Sequence, residues 1–481
     1  MPSISSPTAA QHHGLPSKQD HIVTLEQYDL QQPSAQQNLT PLDMNMPRLY
    51  GIRLVLCFPL FSGTDKLQVF ENLKEGLAHT IMSIPWIAGV IGPEVGQDPK
   101  NRRIQILDSP SGFVFPYKDL TEVLPSYQDL KERNFPLSEF PTAQLGPIDA
   151  IPQSPHQPVF VAQANFVKGG LLLAVGVHHS ACDAAALDAI LSTWSHNTAV
   201  ASDKAKSFST FDETSNDRNA FMDRKVGADV DLNGFPEYML MPTPESTDGV
   251  QGMGDFKMPP LSSHLFRFSP EALGKLKADA AAFSSHDALC AFVWQRMTLA
   301  RCRAGVFANP PTDAEVSRLC FSVNIRNRMS PPLPPSYLGN ASMACVTERM
   351  AVDSITSESG IPQAVAAIRK SLNEFNGPSR VDSTLALLTS RPDPTDFKLA
   401  FHGFLGPDVV ETSWADLEVY EHKWGAFGDL DAVRVPSEGS DGVIMLLPRL
   451  KDGGLDVVIG LATGAMEKLL EDEKFTSVTQ S

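Results

Sequence analysis

Much of what marks a secreted, membrane-embedded or nucleic-acid-binding protein is scarce in this sequence. Only six cysteines occur in 481 residues (Cys57, Cys182, Cys290, Cys302, Cys320 and Cys345), and none forms a CxxC pair. In a long chain that argues against a disulfide framework and for reduced, packed thiols. Positive charge is also short: 39 Lys and Arg stand against 56 Asp and Glu, a net of −17. That balance disfavours a nucleic acid or an anionic membrane as partner, because both need a basic face, though it leaves room for a local basic pocket. The longest apolar runs, YGIRLVLCFPLF and LLLAVGV, fall short of the ~20 residues a membrane helix needs. The opening MPSISSPTAAQHHGLPSKQD has no cationic-then-apolar leader pattern. A reducing, cytoplasmic setting is the expectation.

What is present is globular. Hydrophobic residues make up 42% and charged residues 20%, so the chain can bury a large core. Its length exceeds one ordinary core and predicts two domains. Residues 1–20, rich in Ser, Gln and Pro, read as a flexible tail. An N-terminal unit over 21–205 follows. In it, Asp65 to Met82 shows helical spacing, WIAGVIGP and RRIQILDS read as strands, and PVFVAQANFVKGGLLLAVGVHH reads as a hairpin turning at Gly169-Gly170. A helix from Ala184 to Trp194 closes the unit. Over 206–260 the composition shifts to Ser, Asp, Gly, Pro and charge, which predicts a crossover linker. The unit over 261–481 restarts with a strand, a Ser-Pro helix start and a helix in SSHLFRFSPEALGKLKADAAAF. SHDALCAFVWQRMTLARCRA continues as a helix capped by Ser284 or Ser285. LCFSVNIRNR is a strand, and LDVVIGLATGAMEKLLED a strand and final helix. The region around Arg380 to Phe397 reads as loop. The fold class is α/β (α+β), with two sandwich units.

The chemistry concentrates in LLLAVGVHHSACDAAALDAILSTW. An apolar strand delivers His178 and His179 at its end, and Asp183 follows four residues later. Histidine, with an ordinary pKa of about 6.5, suits proton abstraction from an alcohol near neutral pH. Adjacent strand residues point to opposite faces, so at most one of the two faces a given cavity. Asp183 can cap the next helix or pair with an arginine. Both histidines can equally be hydrogen-bonded structural residues. Two adjacent His and one Asp make a poor metal first shell, so no metal is expected there. Cys182 as nucleophile lacks an activating neighbour other than His179.

With the rest of the chain in view, the sequence resembles the BAHD acyltransferases, in particular their fungal trichothecene 3-O-acetyltransferase-like branch. LTPLDMNMPRLY is similar to the family's N-terminal entry, and HSACD (His179 to Asp183) to its HxxxD motif. SHDALCAFVWQRMTLAR resembles the helix after the crossover, and SVNIRNRMSPPLPPSYLGN the central motif ending in Tyr-x-Gly-Asn. TSWADLEVY and KWGAFGDLDAVRVP resemble the segment leading through the DFGWG motif. The resemblance implies two chloramphenicol-acetyltransferase-like domains with a channel between them, entered by acyl-CoA on one side and an alcohol on the other. It implies His179 as general base, Trp414 near the oxyanion and Thr412 near the acceptor. Asp183 becomes a structural residue paired with Arg326 or Arg328. Ser284 and Ser285 lie where relatives contact the CoA nucleotide, although helix capping also accounts for them. Lys275 and Lys277 could meet phosphates or simply be solvated. Acyl-CoA, acetyl-CoA above all, is then a co-substrate; no permanently bound cofactor and no metal are expected. The partners are the small alcohol and the thioester, and the chain is expected to act as a monomer.

Three places depart from the pattern. Ala184 replaces a Gly after HxxxD, Lys423 or Trp424 stands where the DFGWG segment carries its acid, and Asp429-Leu430 stands where a Pro is expected after the Gly-rich turn. The leading reading is an O-acyltransferase acting on a hydroxyl of a secondary metabolite such as a terpenoid or polyketide. The alternatives are N-acylation or condensation chemistry on the same fold, and a non-catalytic binding member.

Overall fold

The computed structural model describes residues 21–479 apart from 32, 147–148, 152–155, 204–206, 210, 223–230, 242–257, 308–314, 378 and 426. The expected tail at 1–20 and much of the expected linker lie outside the described residues.

Two sheets organise the chain. The first is built on three strands whose sequences are apolar without alternation, as strands covered on both faces must be. They are β1 (Ile52–Pro59), β3 (Phe160–Val167) and β4 (Gly170–Val177). The last two are buried at every position and pair antiparallel through a tight turn. Gly169 takes φ of +79° there, a conformation that favours glycine. Strand β2 (Tyr117–Asp119) adds in parallel beside β3. Helices α1 (Lys66–Ser83) and α2 (Ala184–Ser202) pack on this sheet. Asp65 starts α1 by accepting from the Leu67 and Gln68 amides, a true N-cap. The two helices meet closely at Gly76, where an added Cβ would lie 2.6 Å from the Thr198 amide nitrogen. The Trp194 indole N–H donates to the Leu73 carbonyl across the same seam, at 2.9 Å.

The second sheet holds six strands in the order β5 (Leu261–Phe268), β11 (Leu455–Ala462), β10 (Val443–Leu446), β8 (Val409–Ser413), β6 (Leu319–Asn324) and β7 (Ser342–Val346). The β6–β8 and β8–β10 contacts are parallel and the others antiparallel. Helices α3 (Pro270–Asp279), α4 (Ser285–Arg303), α5 (Gly360–Phe375), α6 (Arg380–Thr389) and α7 (Thr463–Leu470) share the second core with it. Helix α4 carries apolar residues all round and is buried from Asp287 to Thr298, as a helix with neighbours on all sides is.

Three features differ from the reading along the sequence. Helix α2 runs to Ser202, past Trp194, because Thr193, Asn197 and Thr198 are buried polar residues that find partners inside the fold. The expected loop at Arg380 begins with a helix, α6, whose Thr384 and Leu385 to Leu388 are buried. Most important, β9 (Ala432–Arg434) leaves the second half of the chain and pairs with β1 at the edge of the first sheet. The residues leading to it follow: Trp424 packs edge-on against Phe58 and Trp194 in the first core. Order along the chain therefore does not match membership of the cores.

Candidate active site

Strand β4 ends at Val177 and the two histidines diverge, as strand geometry requires. His178 turns into protein. Its ring lies edge-on to Tyr50 with centroids 5.4 Å apart, and its Nδ1 accepts from the Ser180 amide at 3.2 Å. The other nitrogen, Nε2, is thereby the protonated one and donates to Gln157 Oε1 at 2.6 Å. Burial, with His179 and Arg48 nearby, pushes the His178 pKa down to about 3. His178 is a neutral structural residue.

His179 turns the other way, half-buried on the wall of a cleft of about 750 Å³. Its backbone is held at both ends: its amide donates to the Leu49 carbonyl at 2.9 Å, and its carbonyl accepts from Asn340 Nδ2 at 2.8 Å. Nδ1 is buried without a hydrogen-bond partner. Burial lowers the His179 pKa, opposed by its own carbonyl, Asp183, Asn340 and Asp43. The imidazole is thus neutral near pH 7, with a lone pair to accept a proton.

Asp183 caps α2 by accepting from the Ala186 amide at 3.0 Å. It also takes a two-pronged contact from Arg326, Nη1 to Oδ2 and Nη2 to Oδ1, each 2.8 Å. The Ala341 amide adds a further donor at 2.8 Å. Burial raises the carboxyl pKa, and these donors more than reverse that, holding it below the usual carboxylate range. Of the two arginines in the central motif, Arg326 is the partner. Arg328 is exposed, binds Asn376 and the Asn324 carbonyl, and lines the cleft.

A second buried carboxylate sits beneath the motif. Asp43, fully buried, accepts from Arg218, from the Thr40 amide and from both the backbone and side-chain nitrogens of Asn340. Arg218 also donates to the Ala181 carbonyl at 2.9 Å. The three segments LTPLD, HSACD and YLGN therefore meet in one network, with Asn340 bridging Asp43 to the His179 carbonyl. Each segment is legible in the sequence, but the bridge through Asp43 and Asn340 is not.

The cleft joins the other expected residues. Thr412 and Ser413, at the end of β8, and Trp414 line it. The Trp414 amide donates to the Leu446 carbonyl at 2.8 Å, and the side chain packs into the first core. Ser284 also lines the cleft while capping α4, accepting from the Asp287 amide at 3.1 Å. Ser285, the first residue of α4, is not on the lining. Lys275 is exposed and paired with Asp279 at 2.6 Å, one turn along α3. Residues not foreseen also face the cleft. Asp188 and His422 are joined at 2.8 Å, tying α2 to the returning chain, and His286 stands on α4. An Asp five residues past HxxxD and a His beside KWG were the only sequence signs of that pair.

The missing acid of the DFGWG-like segment has a structural answer. Lys423 pairs with Asp429 at 2.8 Å, both exposed, and Trp424 is core. Neither lines the cleft.

The chain is 27% identical over 460 residues to acyltransferase easC of Emericella nidulans, covering 91% of this chain and 94% of that one. It is 27% identical over 481 residues to eremophilane O-acetyltransferase ORF8 of Penicillium roqueforti, covering 93% and 98%. The fold matches that of F. graminearum TRI101, crystallised with coenzyme A and T-2 mycotoxin. That match has a TM-score of 0.78 and 21% identity, over 92% of this chain and 99% of that one. Among the described residues no helix is long and apolar enough to cross a membrane. A model of the Transferase family matches residues 27–476, and the chain belongs to that family, the BAHD-type acyltransferases.

Proposed function

We propose that this enzyme transfers an acyl group, acetyl by analogy with its relatives, from acyl-CoA to a hydroxyl of a terpenoid- or polyketide-type secondary metabolite. The observation that carries the reading is the placement of His179, Thr412 and Trp414 on the lining of one cleft. His179 supplies the neutral base. Its Nε2 takes the acceptor's hydroxyl proton as the oxygen attacks the thioester carbonyl carbon. The carbonyl π electrons move onto oxygen, giving a tetrahedral oxyanion. Collapse re-forms the carbonyl, breaks the C–S bond and expels CoA thiolate, which takes the proton from the His179 imidazolium. Proton and charge balance without a covalent enzyme intermediate. The Trp414 indole N–H is the donor assigned to the oxyanion, and such a preorganised donor acts most strongly where water is excluded. Thr412 is assigned to the acceptor side, and Ser284 to the donor side.

Asp183 has no part in proton transfer. Its oxygens are committed to Arg326, Ala341 and Ala186, so it shapes the loop that presents His179.

The test is thiol release from acetyl-CoA with a panel of hydroxylated terpenoids and polyketides. Wild type turns over with one class of acceptor, and His179→Ala loses roughly 10²- to 10⁴-fold, the usual worth of a general base. Equal turnover by the alanine variant would reject the assignment. Thiol release by neither protein, with binding retained, would favour a non-catalytic member.

A further inference from the structure

Among the described residues, three ligand-bearing side chains converge beside the cleft and have no role in the reaction above. His286 and Cys290 lie one turn apart on α4, and Glu411 comes from β8, immediately before Thr412. Their donor atoms all lie within 4.8 Å of one another. His286 Nε2 is 3.2 Å from Glu411 Oε1 and 3.6 Å from Cys290 Sγ. Tetrahedral zinc, with Zn–N and Zn–O near ~2.0 Å and Zn–S near ~2.3 Å, places such donor pairs about 3.3 Å and about 3.5 Å apart. Those two separations are close to such edges, while Sγ also lies 3.9 Å from His286 Nδ1, so the imidazole must turn to aim Nε2 at a shared ion.

The surroundings agree. Cys290 and Glu411 are buried, and Glu411 Oε2 is a buried carboxylate oxygen with no hydrogen-bond partner. A buried charge with an unmet acceptor is costly unless something positive satisfies it. His286 is half-buried on the cleft wall, which opens a path for an ion. We infer that His286, Cys290 and Glu411 form a binding site for a zinc-class divalent cation, with the fourth position open to water or a cleft-bound ligand. The nitrogen, sulfur and oxygen set suits a borderline-soft ion and disfavours magnesium or calcium, which take oxygen donors. Filling the site cross-links α4 to β8, the strand that carries Thr412. The ion takes no part in acyl transfer, so the site stands whether or not the acyl-transfer reading holds.

The test uses the full chain, stripped with chelator and titrated with Co²⁺ and then Zn²⁺. One equivalent of Co²⁺ should give a thiolate-to-cobalt charge-transfer band with the ligand-field bands of tetrahedral cobalt, and Zn²⁺ should bleach both. Cys290→Ser should abolish the charge-transfer band and weaken binding by more than the roughly 10- to 100-fold that loss of an outer-shell partner costs. Glu411→Gln should keep a weaker band. Cys302→Ser, which removes the half-exposed thiol, should leave the spectrum intact. Zn²⁺ should raise the melting temperature of wild type but not of Cys290→Ser. No band in wild type, or a band that survives Cys290→Ser or vanishes in Cys302→Ser, would overturn the site and leave a hydrogen-bonded His286–Glu411 pair.

Discussion

Arg326 grips Asp183 with two parallel hydrogen bonds of 2.8 Å, and both side chains are buried. A fork-to-carboxylate contact of this kind fixes direction as well as distance. Here it pins the loop between β4 and α2, so the central motif of the second half sets the angle at which His179 meets the cleft. Removing one partner leaves the other as an uncompensated buried charge. Asp183→Asn or Arg326→Met should each cost about 3–5 kcal/mol. In a denaturant double-mutant cycle the paired variant should be less destabilised than the sum of the singles. Additive losses would mean the contact has no coupling of its own.

His179 predicts the acid limb of the rate profile. Burial lowers its pKa, so the base is already deprotonated at neutral pH and is lost only below the ordinary histidine value. The kcat/KM for the acceptor should be flat around pH 7 and fall with a one-proton slope at a pH under about 6.5. A limb centred above that value would assign the titration to another group.

His178 predicts a stability profile. Its pKa is about 3 in the fold against the ordinary value of about 6.5 in the unfolded chain, so between those values only the unfolded chain binds the proton. Stability is therefore whole above pH 6.5 and declines as pH falls toward 3, by about 2 kcal/mol between pH 6.5 and 5. Urea titrations of wild type and His178→Gln should show this slope in the first and its reduction in the second. Equal slopes would contradict it.

Arg328 carries an exposed cationic group on the cleft lining. Set beside a net charge of −17, it is a candidate for the phosphates of an acyl-CoA donor. Arg328→Ala should raise the KM for acetyl-CoA several-fold and leave kcat near wild type. A fall in kcat alone would place Arg328 elsewhere in the cycle.

Lys423 should matter little. Its contact with Asp429 is exposed, and solvent screens such pairs almost completely. Lys423→Ala should leave thermal stability and the KM for acetyl-CoA nearly unchanged, whereas Trp424→Ala should cost about 3–5 kcal/mol through the cavity it leaves in the first core.

The sequence alone determined the local pieces, because their signals are short-range. Asp65, Ser269 and Ser284 cap the helices that follow them, and the Gly169 turn closes its hairpin. Alternation along a strand also required His178 and His179 to part company, though not which would face the cleft. The rest depended on contacts between residues far apart in the chain, which no local pattern encodes. Only the fold chose Arg326 over Arg328 for Asp183, 143 positions away. It also brought Asn340 between Asp43 and the His179 carbonyl, returned β9 to the first sheet, and set Glu411 beside His286 and Cys290. A buried carboxylate must find its donors wherever the folded chain delivers them. Tertiary packing therefore turned a five-residue motif into a histidine held on the wall of a cleft.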